Sequence, residues 1–160
     1  MNDVWTAQRR QELQRYLQGD YSAFRPKPRF REIAIEQKQD ILNAIAETMG
    51  MSFSDTLLHM IDARGMSDVE TYKKARVDRR VFSRIRSSSS YQPSRKTAIR
   101  LCLALRCSTM EAITLLEKAG LCLSHSQKDD LVLLYCFDHD IYDLDAINGM
   151  LLELGLEGIL

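Results

Sequence analysis

Close-set cysteines are missing from this chain. Its four, Cys102, Cys107, Cys122 and Cys136, are separated by 5, 15 and 14 positions, which leaves no CxxC pair of the kind that structural zinc sites use. They read as buried, reduced thiols. Long apolar runs are missing as well: nothing approaches the roughly 18 to 20 residues that cross a bilayer, so no membrane anchor is expected. The opening MNDVWTAQRRQELQRYLQGDY spreads its charges throughout and has no apolar centre followed by a small-residue cleavage site, which argues against a secretory signal and for a cytoplasmic protein. There is no glycine-rich phosphate loop, no HExxH and no nucleophile elbow, so no enzyme class is indicated and no cofactor is expected. Of the histidines His59, His125 and His139, the last sits in a DHD triplet. Neighbours on a helix point about 100° apart, and such a triplet does not converge alone on one metal ion.

What is present is charge, sorted along the chain. Lys plus Arg and Asp plus Glu are 22 each, so the formal charge is zero. Between Tyr72 and Arg100, however, ten basic residues face Asp78 alone, and from Gly120 to Leu160 one Lys faces eight acids. A basic face concentrates polyanions whatever the total charge is, which makes nucleic acid the first partner to consider. The acidic C-terminal helices are then placed either to contact a basic partner or to shield the basic face of the same molecule.

Apolar periodicity points to an all-α fold. FSDTLLHMIDARG (53–65) spaces Phe53, Leu57, Leu58 and Ile61 along one helical face and ends on Gly65. Ser67 with Glu70 has the spacing of a capping box for a helix starting near Asp68. Asp78 is an N-cap candidate for DRRVFSRIR, in which Phe82 and Ile85 share one side while Arg79, Arg80, Ser83 and Arg84 fall elsewhere. A serine-rich loop ending in Pro93 leads to a largely buried helix opened by Ser94, with Leu101 and Leu105 as core. A fifth helix closes at Gly120, and two more are expected at about 127–138 and 144–154. The divisions are residues 1–50, a helical arm; 51–120, the core; and 121–160, an acidic helical segment packed on it. Within the arm, a helix ending near Gly19 precedes the RPKPRF linker, and a second helix follows.

Two short helices joined by about three residues, the second one basic, have the sequence form of a helix-turn-helix. The Gly-x-Ser start (65–67), the Val-Asp entry (77–78), Arg84-Ile85, the Pro93-Ser94 opening and ALRCSTMEAITLL (104–116) resemble, in order, the five-helix DNA-binding domain of the lambda-repressor-like (Xre, or Cro/C1) family. More broadly, residues 52–160, from SFSDTLLHMIDARG to IYDLDAINGMLLELG, resemble a helical module found C-terminal to bacterial macro domains. The strand-rich macro domain itself has no counterpart in this pattern, so no ADP-ribose chemistry is carried over.

The repressor resemblance implies a transcriptional regulator that binds double-stranded DNA. Arg79, Arg80, Ser83 and Arg84 would contact bases, and Lys74, Arg86, Ser94, Arg95 and Lys96 would contact phosphates. It further suggests a homodimer on paired half-sites. Two positions depart from the repressor pattern: Tyr72 stands where a small Ala is usual, and Arg76 where a Gly is preferred in the turn. Both point to a wider or reoriented turn and favour the competing class, a non-catalytic interaction module that docks an acidic protein through the same scaffold. The arm or the acidic helices would then offer further protein contacts.

Overall fold

The computed structural model describes residues 5–19 and 50–160. Among these there are eight helices and no strand: α1 (Ala7–Leu17), α2 (Phe53–Ala63), α3 (Asp68–Lys74), α4 (Arg79–Ser87), α5 (Arg95–Ala104), α6 (Thr109–Lys118), α7 (Lys128–Asp138) and α8 (Leu144–Glu153). The all-α expectation is met at that level. The RPKPRF linker and the second helix of the arm lie outside the described residues.

Local chemistry explains where the helices begin. Ser52, Ser67, Asp78, Ser94, Ser108 and Asp143 each precede a helix and accept an amide hydrogen from its first turn, each such cap contributing about 1 kcal/mol. The full capping box forms at Ser108 and Glu111. At Ser67 only half of it forms: the hydroxyl accepts from Glu70 N at 3.1 Å, while the Glu70 carboxylate turns to Lys74 instead.

Six helices end in the same way. The last turn is closed by a pair of backbone bonds in which the residue after the cap takes positive φ, as between Met66 N and Ile61 O (3.2 Å) and between Val77 N and Tyr72 O (2.9 Å). Glycine fills that position at Gly65, Gly120 and Gly155, whereas Arg76 (φ 50°), Arg106 (φ 51°) and Asp140 (φ 54°) adopt it with a side chain. Arg76 therefore takes the left-handed conformation a glycine would have taken, at a strain of about 1 to 2 kcal/mol. Tyr72 lies tilted against Phe82 with ring centroids 5.8 Å apart, occupying the space between α3 and α4.

One continuous core runs through the described residues. Leu57, Ile61, Ile85, Ile99, Leu101, Leu105 and Leu115 are all 1 % exposed or less, and the same cluster takes in α7, whose stretch Leu131–Phe137 is buried all round. Such a helix belongs in the middle of a fold, and α7 packs against α1, α6 and α8. The Trp5 indole donates to Ala146 O at 2.8 Å, and Tyr16 meets Tyr135 edge to face at 5.7 Å. This part of the arm therefore packs on the C-terminal helices. Cys102, Cys107 and Cys136 are buried as expected; Cys122 is exposed, because it falls in the loop after the Gly120 turn.

Candidate nucleic-acid interface

Helix α4 is sharply two-sided. Phe82 and Ile85 are 3 % and 0 % exposed and point into the core, while Arg79, Arg80, Ser83 and Arg84 are exposed. The N-cap bond from Arg80 N to the Asp78 carboxylate, 2.7 Å, fixes the first turn and hence where Arg79 and Arg80 leave the backbone. Among the described residues, neither Arg79 nor Arg80 has an acidic partner. The Arg84 guanidinium lies 5.4 Å from the centre of the Tyr91 ring, a contact that leaves its charge uncompensated by any carboxylate. The four expected base-contact residues are thus together on one solvent-facing helix.

The five expected phosphate-contact residues are in a different condition. Lys74 pairs with Glu70 at 2.8 Å, and Arg86 grips both oxygens of Asp68 at 3.0 and 2.5 Å. Arg95 contacts the buried Asp130 and reaches Asp129 at 3.5 Å. Lys96 pairs with Glu157 at 2.7 Å. The Ser94 hydroxyl accepts from Thr97 N at 3.2 Å and bonds to the Thr97 hydroxyl at 2.9 Å, so it serves α5 itself.

These pairings also leave an electrostatic signature. Hydrogen bonding by Lys74, Arg76 and Lys96 holds the carboxyls of Glu70, Asp145 and Glu157 below their ordinary range. The same effect from Asp68 raises Arg86.

Reasoning from the sequence missed three partners. Asp145 binds Arg76 through both oxygens, at 2.8 and 2.5 Å. Arg100 folds back on Arg76 O at 3.0 Å, and burial lowers its pKa. Tyr91 supplies the ring beneath Arg84. Residues so far apart in the chain carry no local signal of their contact, and Tyr91 lies across a loop from the arginine it meets. Lys73 was likewise passed over, although it is exposed and has no ion partner among the described residues.

Beside the α3–α4 turn opens a cleft of about 490 Å³ whose walls include Lys74, Arg76, Arg106, Tyr142, Asp143 and Asp145. Its charges are largely satisfied within the protein. The Arg106 guanidinium covers the Tyr142 ring at 5.1 Å, and the Tyr142 hydroxyl lies 3.0 Å from both Cys107 O and Asp140 Oδ1. Burial, and then the bond to Asp140, push the Tyr142 pKa up to about 12.

His139, in the DHD triplet, stacks on Tyr135 at 3.9 Å. Among the described residues no group of three or more His, Cys, Asp or Glu is placed to hold a metal ion, and no helix is long and apolar enough to cross a membrane.

Comparison with family models, curated proteins and solved structures finds no match for this chain.

Proposed function

We propose that this protein is a non-catalytic, cytoplasmic transcriptional regulator that binds double-stranded DNA, with α2 to α6 forming an Xre-like helix-turn-helix core and α4 its recognition helix. One observation carries the reading. Of the ten basic residues between Tyr72 and Arg100, five (Lys74, Arg76, Arg86, Arg95 and Lys96) are paired with acids of the same chain. Arg79, Arg80 and Arg84 of α4 have no acidic partner among the described residues. A cation already exposed and uncompensated gives up nothing within the protein when it meets an anion, so α4 is the face prepared for a polyanion. In a major groove Arg79, Arg80 and Arg84 would each make a bidentate pair with guanine, and Ser83 would bond to a neighbouring base. Dimerisation on paired half-sites follows the usual geometry of such domains.

A second reading, docking of an acidic protein through the same scaffold, is favoured by Tyr72 and Arg76 at the α3–α4 turn, where the repressor pattern has Ala and Gly.

The test is fluorescence anisotropy of a labelled duplex of mixed sequence over a salt series, with the wild type and Arg80→Ala/Arg84→Ala. The expected result is binding that falls steeply with salt and is weaker in the double variant, whose dependence of log affinity on log salt is shallower by up to about 1.8, two phosphate contacts fewer. Absence of binding at low salt would overturn the regulator reading in favour of the protein-docking one.

A further inference from the structure

The partners of Arg95 and Lys96 differ in kind. Asp130 is buried, its side chain 6 % exposed, and its second oxygen accepts Ser124 N at 2.7 Å. The Arg95 pair is therefore built into the fold. Glu157 is 84 % exposed on its side chain while holding Lys96 at 2.7 Å. Around it the backbone is fastened. The chain turns at Gly155 (φ 70°) after α8, Ile159 is buried to 3 %, and Leu160 N donates to Asn148 Oδ1 at 3.2 Å. A Cβ on Gly158 would lie 2.2 Å from that same Asn148 oxygen, so glycine is what lets the segment lie this close to α8. A rigid backbone thus presents a solvent-bathed carboxylate to a lysine at the start of α5, in the position of an anion that water and salt can exchange.

We propose that Glu157 occupies Lys96 as an intramolecular competitor for a DNA phosphate, so that the acidic C-terminal segment weakens the very contact the sequence assigns to Lys96. The inference rests on the DNA-binding reading. It separates the phosphate set into a residue that can be released, Lys96, and one that cannot, Arg95. An incoming phosphate displaces a carboxylate of like charge from Lys96, and the pair being exposed, the exchange meets little resistance. Removing the Glu157 charge while keeping its shape makes Lys96 available before DNA arrives.

The experiment compares the wild type, Glu157→Gln, Lys96→Ala, the combined Lys96→Ala/Glu157→Gln, and Arg80→Ala/Arg84→Ala, each titrated against the same duplex DNA over a salt series. Their helical content and thermal midpoints are matched first. Glu157→Gln is expected to tighten binding by up to about fivefold at low salt, the upper worth of an exposed pair. It should also steepen the dependence of log affinity on log salt by about 0.9, one more phosphate neutralised. In the Lys96→Ala background the Glu157 substitution should have no effect. If Glu157→Gln changes nothing while Arg80→Ala/Arg84→Ala weakens binding, the competition is overturned and the regulator reading stands. Equal tightening with and without Lys96 also overturns it, because the effect would then be one of overall charge. No DNA binding by the wild type would remove the reading itself, and the inference with it.

Discussion

Replacing Arg95 by Ala tests whether the sorting of cations has been read correctly, because the sequence ranks Arg95 with the surface phosphate contacts and the structure makes it a counter-ion to a buried acid. In the intact protein the Asp130 side chain is only 6 % exposed, and with Arg95 gone its carboxylate keeps one amide, Ser124 N at 2.7 Å. Breaking a fully buried pair on one side typically costs about 3 to 5 kcal/mol. Arg95 is itself about a third exposed (36 %) and shares its charge with Asp129, which reduces the expected loss to about 2 to 3 kcal/mol. For a chain of this size that lowers the thermal midpoint by about 4 to 12 °C. Arg80→Ala, on the open face of α4, is the control and should stay within about 0.5 kcal/mol of wild type. Urea unfolding and thermal scans followed by circular dichroism measure both variants. Removing the buried charge as well, in Arg95→Ala/Asp130→Ala, should cost less than the two single losses added together. If Arg95→Ala unfolds with the same midpoint as Arg80→Ala, the buried pair is not what holds α5 to α7 and the division of the basic residues fails.

Three further results are expected. Gly120→Ala should cost about 1 kcal/mol, since φ is +68° and a Cβ would meet no atom within 4 Å, leaving backbone strain as the whole effect. Arg106→Gly at φ 51° relieves similar strain and loses one exposed cation–π contact worth about 0.5 to 1 kcal/mol, so its unfolding midpoint should barely move, and a large loss would show that the Tyr142 contact outweighs the strain. Acid should weaken the fold in a defined window. Glu70, Asp145 and Glu157 have folded pKa values below their ordinary 4.5, 3.8 and 4.5, so the unfolded chain binds more protons there and stability falls as pH drops through these values. The triple variant Glu70→Gln/Asp145→Asn/Glu157→Gln should flatten that slope in thermal scans between about pH 6 and about pH 3, and an unchanged slope would mean that the pairs do not form in solution.

The helix starts were legible because capping is a short-range event. Ser67, Asp78 and Ser94 could be read directly, since each bonds an amide two or three residues ahead. The buried face of α4 was legible for a similar reason: Phe82 and Ile85 are three positions apart on one side of a helix. The helix ends were only half legible. Gly65 and Gly120 announce a left-handed residue, but Arg76 takes the same conformation without any such signal, supported by the closing bond from Val77 N to Tyr72 O. Of the ion pairs that hold the basic stretch, only Glu70–Lys74, four apart on α3, had a local signal. Arg86 and Asp68 are 18 residues apart, and Arg76 and Asp145 are 69. Nothing local to a basic residue says whether the fold will bring an acid to it. The sequence could therefore name a basic stretch but not which of its charges would remain available.

That distinction bears on how a chain of zero formal charge can present a basic face. Charge that cancels in the total need not cancel in space, and what a ligand meets is the residue left over after internal pairing. Here the C-terminal third contributes the acids that meet Arg76, Arg95 and Lys96, and the first turn of α3 contributes those that meet Lys74 and Arg86. On α4 itself they cover Arg86 and leave Arg79, Arg80 and Arg84 without an acid among the described residues. Spreading the same cations without their acids would give a stronger but indiscriminate attraction, since exposed positive charge binds any phosphate backbone and falls off with salt. Leaving Arg79, Arg80 and Arg84 without an acid among the described residues, on a helix seated by Phe82 and Ile85, shifts the balance from general attraction towards contacts whose geometry must fit. In this reading the acidic segment makes the basic helix selective.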